Sequence, residues 1–102
     1  MREECLPISF TKEGFNLCGE LTFANASLVL KKANAHFDDI EPDTIVIDLS
    51  KLEKIDSAGV ALLLAWERLS KKNNKKLHLK DAQEQVISLI KTNKLHSILN
   101  IY

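Results

Sequence analysis

Few of the side chains in this 102-residue chain that could do chemistry stand at the spacing chemistry needs. His36, His78 and His96 fall on separate segments, and none has a second ligand at metal-site spacing. No serine, histidine and aspartate fall on a recognisable catalytic frame, nor do paired carboxylates. Asp48 and Asp56 flank one polar connector, but the first ends an apolar strand and the second caps a helix. A phosphate-cradling loop needs closely spaced glycines, whereas Gly14, Gly19 and Gly59 are scattered. The expectation is a chain with no catalytic residue, no metal and no cofactor, and so not an enzyme. What remains is Asp56-Ser57-Ala58-Gly59. A carboxylate caps a helix start there, a hydroxyl follows, and two small residues leave the first-turn amides accessible. The partial positive charge of that helix end favours an anion. Ser57 is therefore a candidate phosphorylation site, or a point where a partner's side chain comes close.

Composition narrows the classes further. Lysine plus arginine and aspartate plus glutamate balance at 14 each, so the basic surplus expected of a nucleic-acid binder is missing. The cluster Lys71, Lys72, Lys75, Lys76 and Lys80 reads as a solvated helix end and loop. Met1–Ser9 carries acids and a proline and lacks the features of a signal peptide. The longest apolar run, Val60–Trp66, is far short of a membrane span. Cys5 and Cys18 read as reduced thiols. The expectation is one cytoplasmic domain over residues 1–102, inserted in no membrane.

Several elements must position the Asp56–Gly59 segment. Cys5–Phe10 contains Pro7 and should be an edge strand. Thr11–Gly14 suits a hairpin connection, and Phe15–Glu20 returns as a second strand. Thr22 can cap a helix over Phe23–Phe37, where Ala26, Val29, Leu30, Ala33 and Phe37 recur at helical spacing. Thr44–Leu49 is β-branched and apolar enough for a central strand buried on both faces. Ser50–Asp56 follows as a polar connector, and a helix then runs to about Lys72. Lys76–Leu79 alternates as a short strand, and Asp81 caps a third helix through Asn93. Leu95, Ile98, Leu99 and Ile101 suggest a last helical or extended segment. Strands alternating with helices after a starting hairpin imply one mixed sheet.

The helix after Asp56 is apolar nearly all round. Gly59, Leu62, Leu63, Trp66 and Leu69 share one side, and Ser57, Val60, Ala61, Leu64 and Arg68 share the other. A helix lying on a sheet needs only one apolar stripe. The second stripe is either covered by neighbouring helices or meets a partner.

Three features together resemble the STAS family: Gly19-Glu20-Leu21-Thr22 at the end of the second strand, Ile45–Leu49 followed by Ile55-Asp56-Ser57-Ala58-Gly59, and the chain order itself. The resemblance implies an α/β, SpoIIAA-like single domain, with a mixed sheet of about four strands and helices packed mainly on one face. Anti-sigma factor antagonists of this family usually carry Asp-Ser-Ser-Gly-Leu-Gly, with the first serine phosphorylated. Here Ala58 and Ala61 replace the second serine and the final glycine. Val60–Trp66 looks more like the MlaB-like stand-alone STAS subunit of Mla-type phospholipid ABC transporters, although Ser57 stands where that subunit typically has threonine. That likeness implies a non-catalytic accessory subunit of a Gram-negative bacterium, held at the inner membrane by the transporter's cytoplasmic ATPase. Its partner-binding residues would be Asp56, Ser57, Ala58, Gly59, Val60, Ala61, Leu64 and Arg68. The alternative is an antagonist that binds an anti-sigma factor or serine kinase and is switched by phosphorylation of Ser57.

Overall fold

The computed structural model describes residues 6–37, 39–40 and 43–92. The expected tail around Leu95–Ile101 lies outside them, as do Cys5 and Asn93. Strand β1 (Ile8–Phe10) pairs antiparallel with β2 (Gly14–Leu21). Thr11 closes the turn between them, its hydroxyl accepting from the Gly14 amide at 3.0 Å. Strands β2, β3 (Thr44–Ile55) and β4 (Lys76–Lys80) are parallel, and the sheet order is β1-β2-β3-β4. Helices α1 (Ala26–Phe37) and α2 (Ser57–Lys72) connect successive parallel neighbours. Right-handed crossovers between strands in this order put both helices on one face of the sheet. Helix α3 (Glu84–Thr92) packs against β3, with the Gln83 and Gln85 side-chain amides donating to the carbonyls of Ser50 and Glu53.

The mixed sheet and the edge position of β1 match the sequence expectation. Strand β3 differs in two ways. It continues through the segment expected to be a polar connector, because that half still pairs with β2 across two register shifts, Gly19 opposite Leu52 and Leu21 opposite Ile55. It is also buried on one face only: Ile45, Ile47, Leu49 and Leu52 are buried, while Val46 and Asp48 are half-buried. With α1 and α2 covering a single face, the strand alternates instead of hiding both sides.

Helix starts shift as well. Thr22 caps a tight turn and not the helix itself: its carbonyl accepts from the amides of Asn25 and Ala26, and its amide donates to the Asn25 side chain at 3.0 Å. Helix α1 therefore begins at Ala26, after Phe23. Asp81 adopts a left-handed φ of 55°, and α3 starts only at Glu84.

Burial of side chains from the helices and one sheet face builds the core. Trp66 is fully buried and meets the Phe15 ring edge-on, at a centroid distance of 4.9 Å. Cys18 departs from expectation, since its sulfur is disulfide-bonded. The hairpin register runs Pro7 alongside Cys18, whose amide donates to the Pro7 carbonyl at 3.2 Å. Chain spacing alone does not reveal that proximity.

Candidate docking site at the carboxyl ends of β2 and β3

Strands β2 and β3 end side by side, and each hands the chain to the start of a helix. Ligands and partners of open α/β sheets gather at such carboxyl ends. Asp56 ties the two together. One carboxylate oxygen accepts from the Gly59 amide at 3.1 Å, as an N-cap, and the other accepts from the Phe23 amide, also at 3.1 Å. The bond from Phe23, followed by those from Gly59 and Ala58, outweighs partial desolvation and holds the Asp56 carboxyl below its usual value of 3.8.

A group with a depressed folded-state pKa contributes stability that is present above its unfolded value and lost as pH falls through the folded one. The amide resonances of Phe23 and Gly59 should therefore titrate together, with one midpoint below the usual carboxylate value of 3.8, and vanish as a coupled pair in Asp56→Asn. Independent midpoints, or one above that value, would mean the bridge does not exist in solution.

Gly59 is buried because the first turn of α2 abuts the carboxyl end of β2 at Leu21. A Cβ built there would lie 2.2 Å from the Leu21 carbonyl oxygen. Ser57 stands exposed at the first position of α2, beside the bridge, with Ala58 half-buried next to it.

The structure redistributes the expected outer stripe of α2. Ser57, Ala61 and Arg68 are exposed. Val60 is not: at 4% exposure it joins Glu67 and Ser70 in a second buried row, contrary to its expected place on the outer stripe. Gly59 is buried too, and Leu64 is half-buried against the core. Asp56 acts through the two amides it holds. On the inner side Leu62, Leu63 and Trp66 are buried as expected, while Leu69 is only half-buried.

Sequence periodicity missed the other half of this surface. A shallow cavity of about 250 Å³ lies between α1 and α2, walled by Ala26, Ser27, Leu30, Ala58, Ala61 and Ala65. Phe23 is 82% exposed and Leu28 50% exposed. Phe23 continues the helical series 23, 26, 30, 33, 37, which would bury it if the helix began there. The Thr22–Asn25 turn takes it out of that register.

On the opposite sheet face, Ser9, Asn16, Asp48 and Lys80 stand in one row across the four strands. Two cavities of about 380 and 310 Å³ meet there at Asn16 and Asp48. Burial of Asp48 is outweighed by hydrogen bonds from Ser50 and by the charges of Lys80 and Lys51, which together lower its pKa. Among the described residues no group of three or more His, Cys, Asp or Glu could hold a metal ion, and no helix is long and apolar enough to cross a membrane.

A family model described as "Mlab, STAS domain" matches residues 8–100. The chain belongs to the MlaB-like STAS family. Among solved structures, this STAS domain is similar to a proposed anti-sigma factor antagonist from Thermotoga maritima (TM-score 0.74, 24% identity, covering 94% of this chain and 84% of that one). It is also similar to the anti-sigma factor antagonist SpoIIAA in its unphosphorylated form (TM-score 0.73, 18% identity, covering 93% and 85%). The phosphorylated form of the Bacillus cell fate determinant SpoIIAA superposes at a TM-score of 0.66 with 19% identity, covering 93% and 88%. The STAS domain thus has the SpoIIAA-like fold. No curated protein matches its sequence.

Proposed function

We propose that this STAS domain is a non-catalytic accessory and regulatory subunit that binds the cytoplasmic ATPase of an Mla-type ABC transporter. In that role it serves phospholipid trafficking and outer-membrane lipid asymmetry, and it sits at the inner membrane only through its partner. The observation that carries the reading is the match to the MlaB-described family over residues 8–100. Its physical support is the end of the sheet where Ser57 stands exposed next to Ala58, which with Ala61 borders an apolar groove. Small side chains there let a partner backbone come close. Ser57, Ala58, Ala61 and Arg68 are the contact residues.

A second reading, an anti-sigma factor antagonist switched on Ser57, draws on one feature of the site. The Ser57 hydroxyl is exposed at the positive end of α2, where a phosphate would be stabilised. One experiment separates the two. Under the transporter reading, protein from its native host co-elutes with the transporter ATPase, carries no phosphate by intact mass, and buries roughly 800 Å² of its own surface in the complex. Stoichiometric phosphate on Ser57 that controls binding to an anti-sigma factor or serine kinase would replace the first reading with the second.

A further inference from the structure

Although acids and bases balance over the whole chain, the helical layer is one-sided. Helix α1 contains Lys31 and Lys32 and no acidic residue. Helix α2 contains Arg68, Lys71 and Lys72, and its one acid, Glu67, is buried beside Lys71. Every exposed charge on these two helices is therefore positive. Helical spacing continues the groove walls into two of these cations. Lys31 lies one turn beyond Ser27 on α1, and Arg68 lies one turn beyond Ala65 on α2. At the other end of the groove, roughly 17 Å from Arg68 at about 1.5 Å per residue, stands Ser57, and the exposed Phe23 is tied beside it through the Asp56 carboxylate. Phe23 is not on a loose loop, because the Asp56 carboxylate holds its backbone amide. With its backbone already held, Phe23 has only side-chain rotamer freedom left to lose on binding, which suits an interface anchor.

We propose that Phe23 is the anchor of the docking surface, seating an amphipathic helix of the partner in the α1–α2 groove with that helix's acidic end against Lys31 and Arg68. This rests on the docking reading above and adds the occupant. The groove between two parallel helices receives a third helix, and the alanines along it allow close backbone approach. The cationic end selects carboxylates and fixes the direction in which the helix lies. An anionic membrane fits less well. The groove is concave, and its cations are separated from the apolar anchor instead of ringing it.

The test uses the full chain and the purified transporter ATPase from the same genome. Phe23→Ala should weaken binding roughly thirtyfold or more, the loss expected for an aromatic hot spot, and Phe23→Trp should restore most of it. Arg68→Glu should weaken binding roughly tenfold and flatten its salt dependence. A photoreactive phenylalanine analogue at position 23 should cross-link to an amphipathic helix of the ATPase that carries Asp or Glu at one end. If Ser57→Arg abolishes binding while Phe23→Ala leaves it within about twofold, the anchor is disproved and the docking reading stands. If neither variant changes ATPase binding, the docking reading itself falls. Phe23-dependent binding to phosphatidylglycerol vesicles with no ATPase binding would overturn the proposal in favour of a membrane. Because Phe23 is exposed, the alanine variant should melt as the parent does, and a large drop in its melting temperature would show the ring to be structural.

Discussion

Gly59→Ala should destabilise the domain by a net of about 2 kcal/mol or more, although alanine is the better helix former. The intrinsic gain from placing alanine in a helix is about 1 kcal/mol. Against it stands a steric conflict with no cheap relief. The new Cβ would lie 2.2 Å from the Leu21 carbonyl oxygen and 2.6 Å from Ile55 Cγ1. The first neighbour is backbone at the end of β2, so α2 must lift away from the sheet. Lifting it loosens Leu62, Leu63 and Trp66, which are buried on the same helix. Overpacking of this kind costs about 1–3 kcal/mol and occasionally more, and backbone contacts belong to the upper end. For a domain of this size a net loss of about 2 kcal/mol lowers the melting temperature by roughly 8–16 °C. Thermal melts followed by circular dichroism measure it directly. An unchanged or raised melting temperature would mean that α2 does not ride this close to β2.

Ser57→Arg should do the reverse, abolishing docking while leaving the fold intact. Ser57 is exposed, and surface substitutions of this kind usually change stability by no more than about 0.5 kcal/mol. Binding is a different matter. The substitution puts a long cation at the positive end of α2, next to Ala58 in the groove wall, where a partner has to approach closely. A loss of more than about a hundredfold in affinity for the ATPase is expected, since steric exclusion and desolvation of an unpaired charge act together. Ser57→Ala gives the scale for the hydroxyl alone. It removes at most one hydrogen bond, about 0.5–1.5 kcal/mol, and so weakens binding no more than roughly tenfold. Titration calorimetry on both variants, with melts as the folding control, tests the pair. Equal affinities for the serine and arginine forms would move the docking surface elsewhere on the molecule. Leu64→Asp is a poorer probe of docking than its place in the sequence suggests. Leu64 packs against the core, so a charge there tests folding and binding at once.

The order of elements, the edge position of β1, the inner stripe of α2 and the helix cap at Asp56 were all legible in the sequence, because each depends on neighbours within one element. Proline at a strand edge, apolar residues at three- and four-residue spacing, and Asp-Ser-Ala-Gly before an apolar run carry their own local reasons. The likeness to the STAS family added the connection between these pieces, and the family match over residues 8–100 bears it out.

What tertiary structure alone decided is which faces are used. Periodicity assigned Val60 to the outside, yet it is buried with Glu67 and Ser70, because α2 is covered over more of its circumference than one stripe. The sequence placed Phe23 at the first position of a helix, yet the Thr22–Asn25 turn and the bond to Asp56, 33 residues away in sequence, hold it outside that helix, and its side chain is exposed. Strand β3 looked buried on both faces and is covered on one, since β-branched composition reports strand propensity and not the number of layers above it. For Phe23 a local turn and a bond to a residue 33 positions away act together. Local spacing fixes where a side chain sits on its own element, and only packing between elements fixes what lies opposite it.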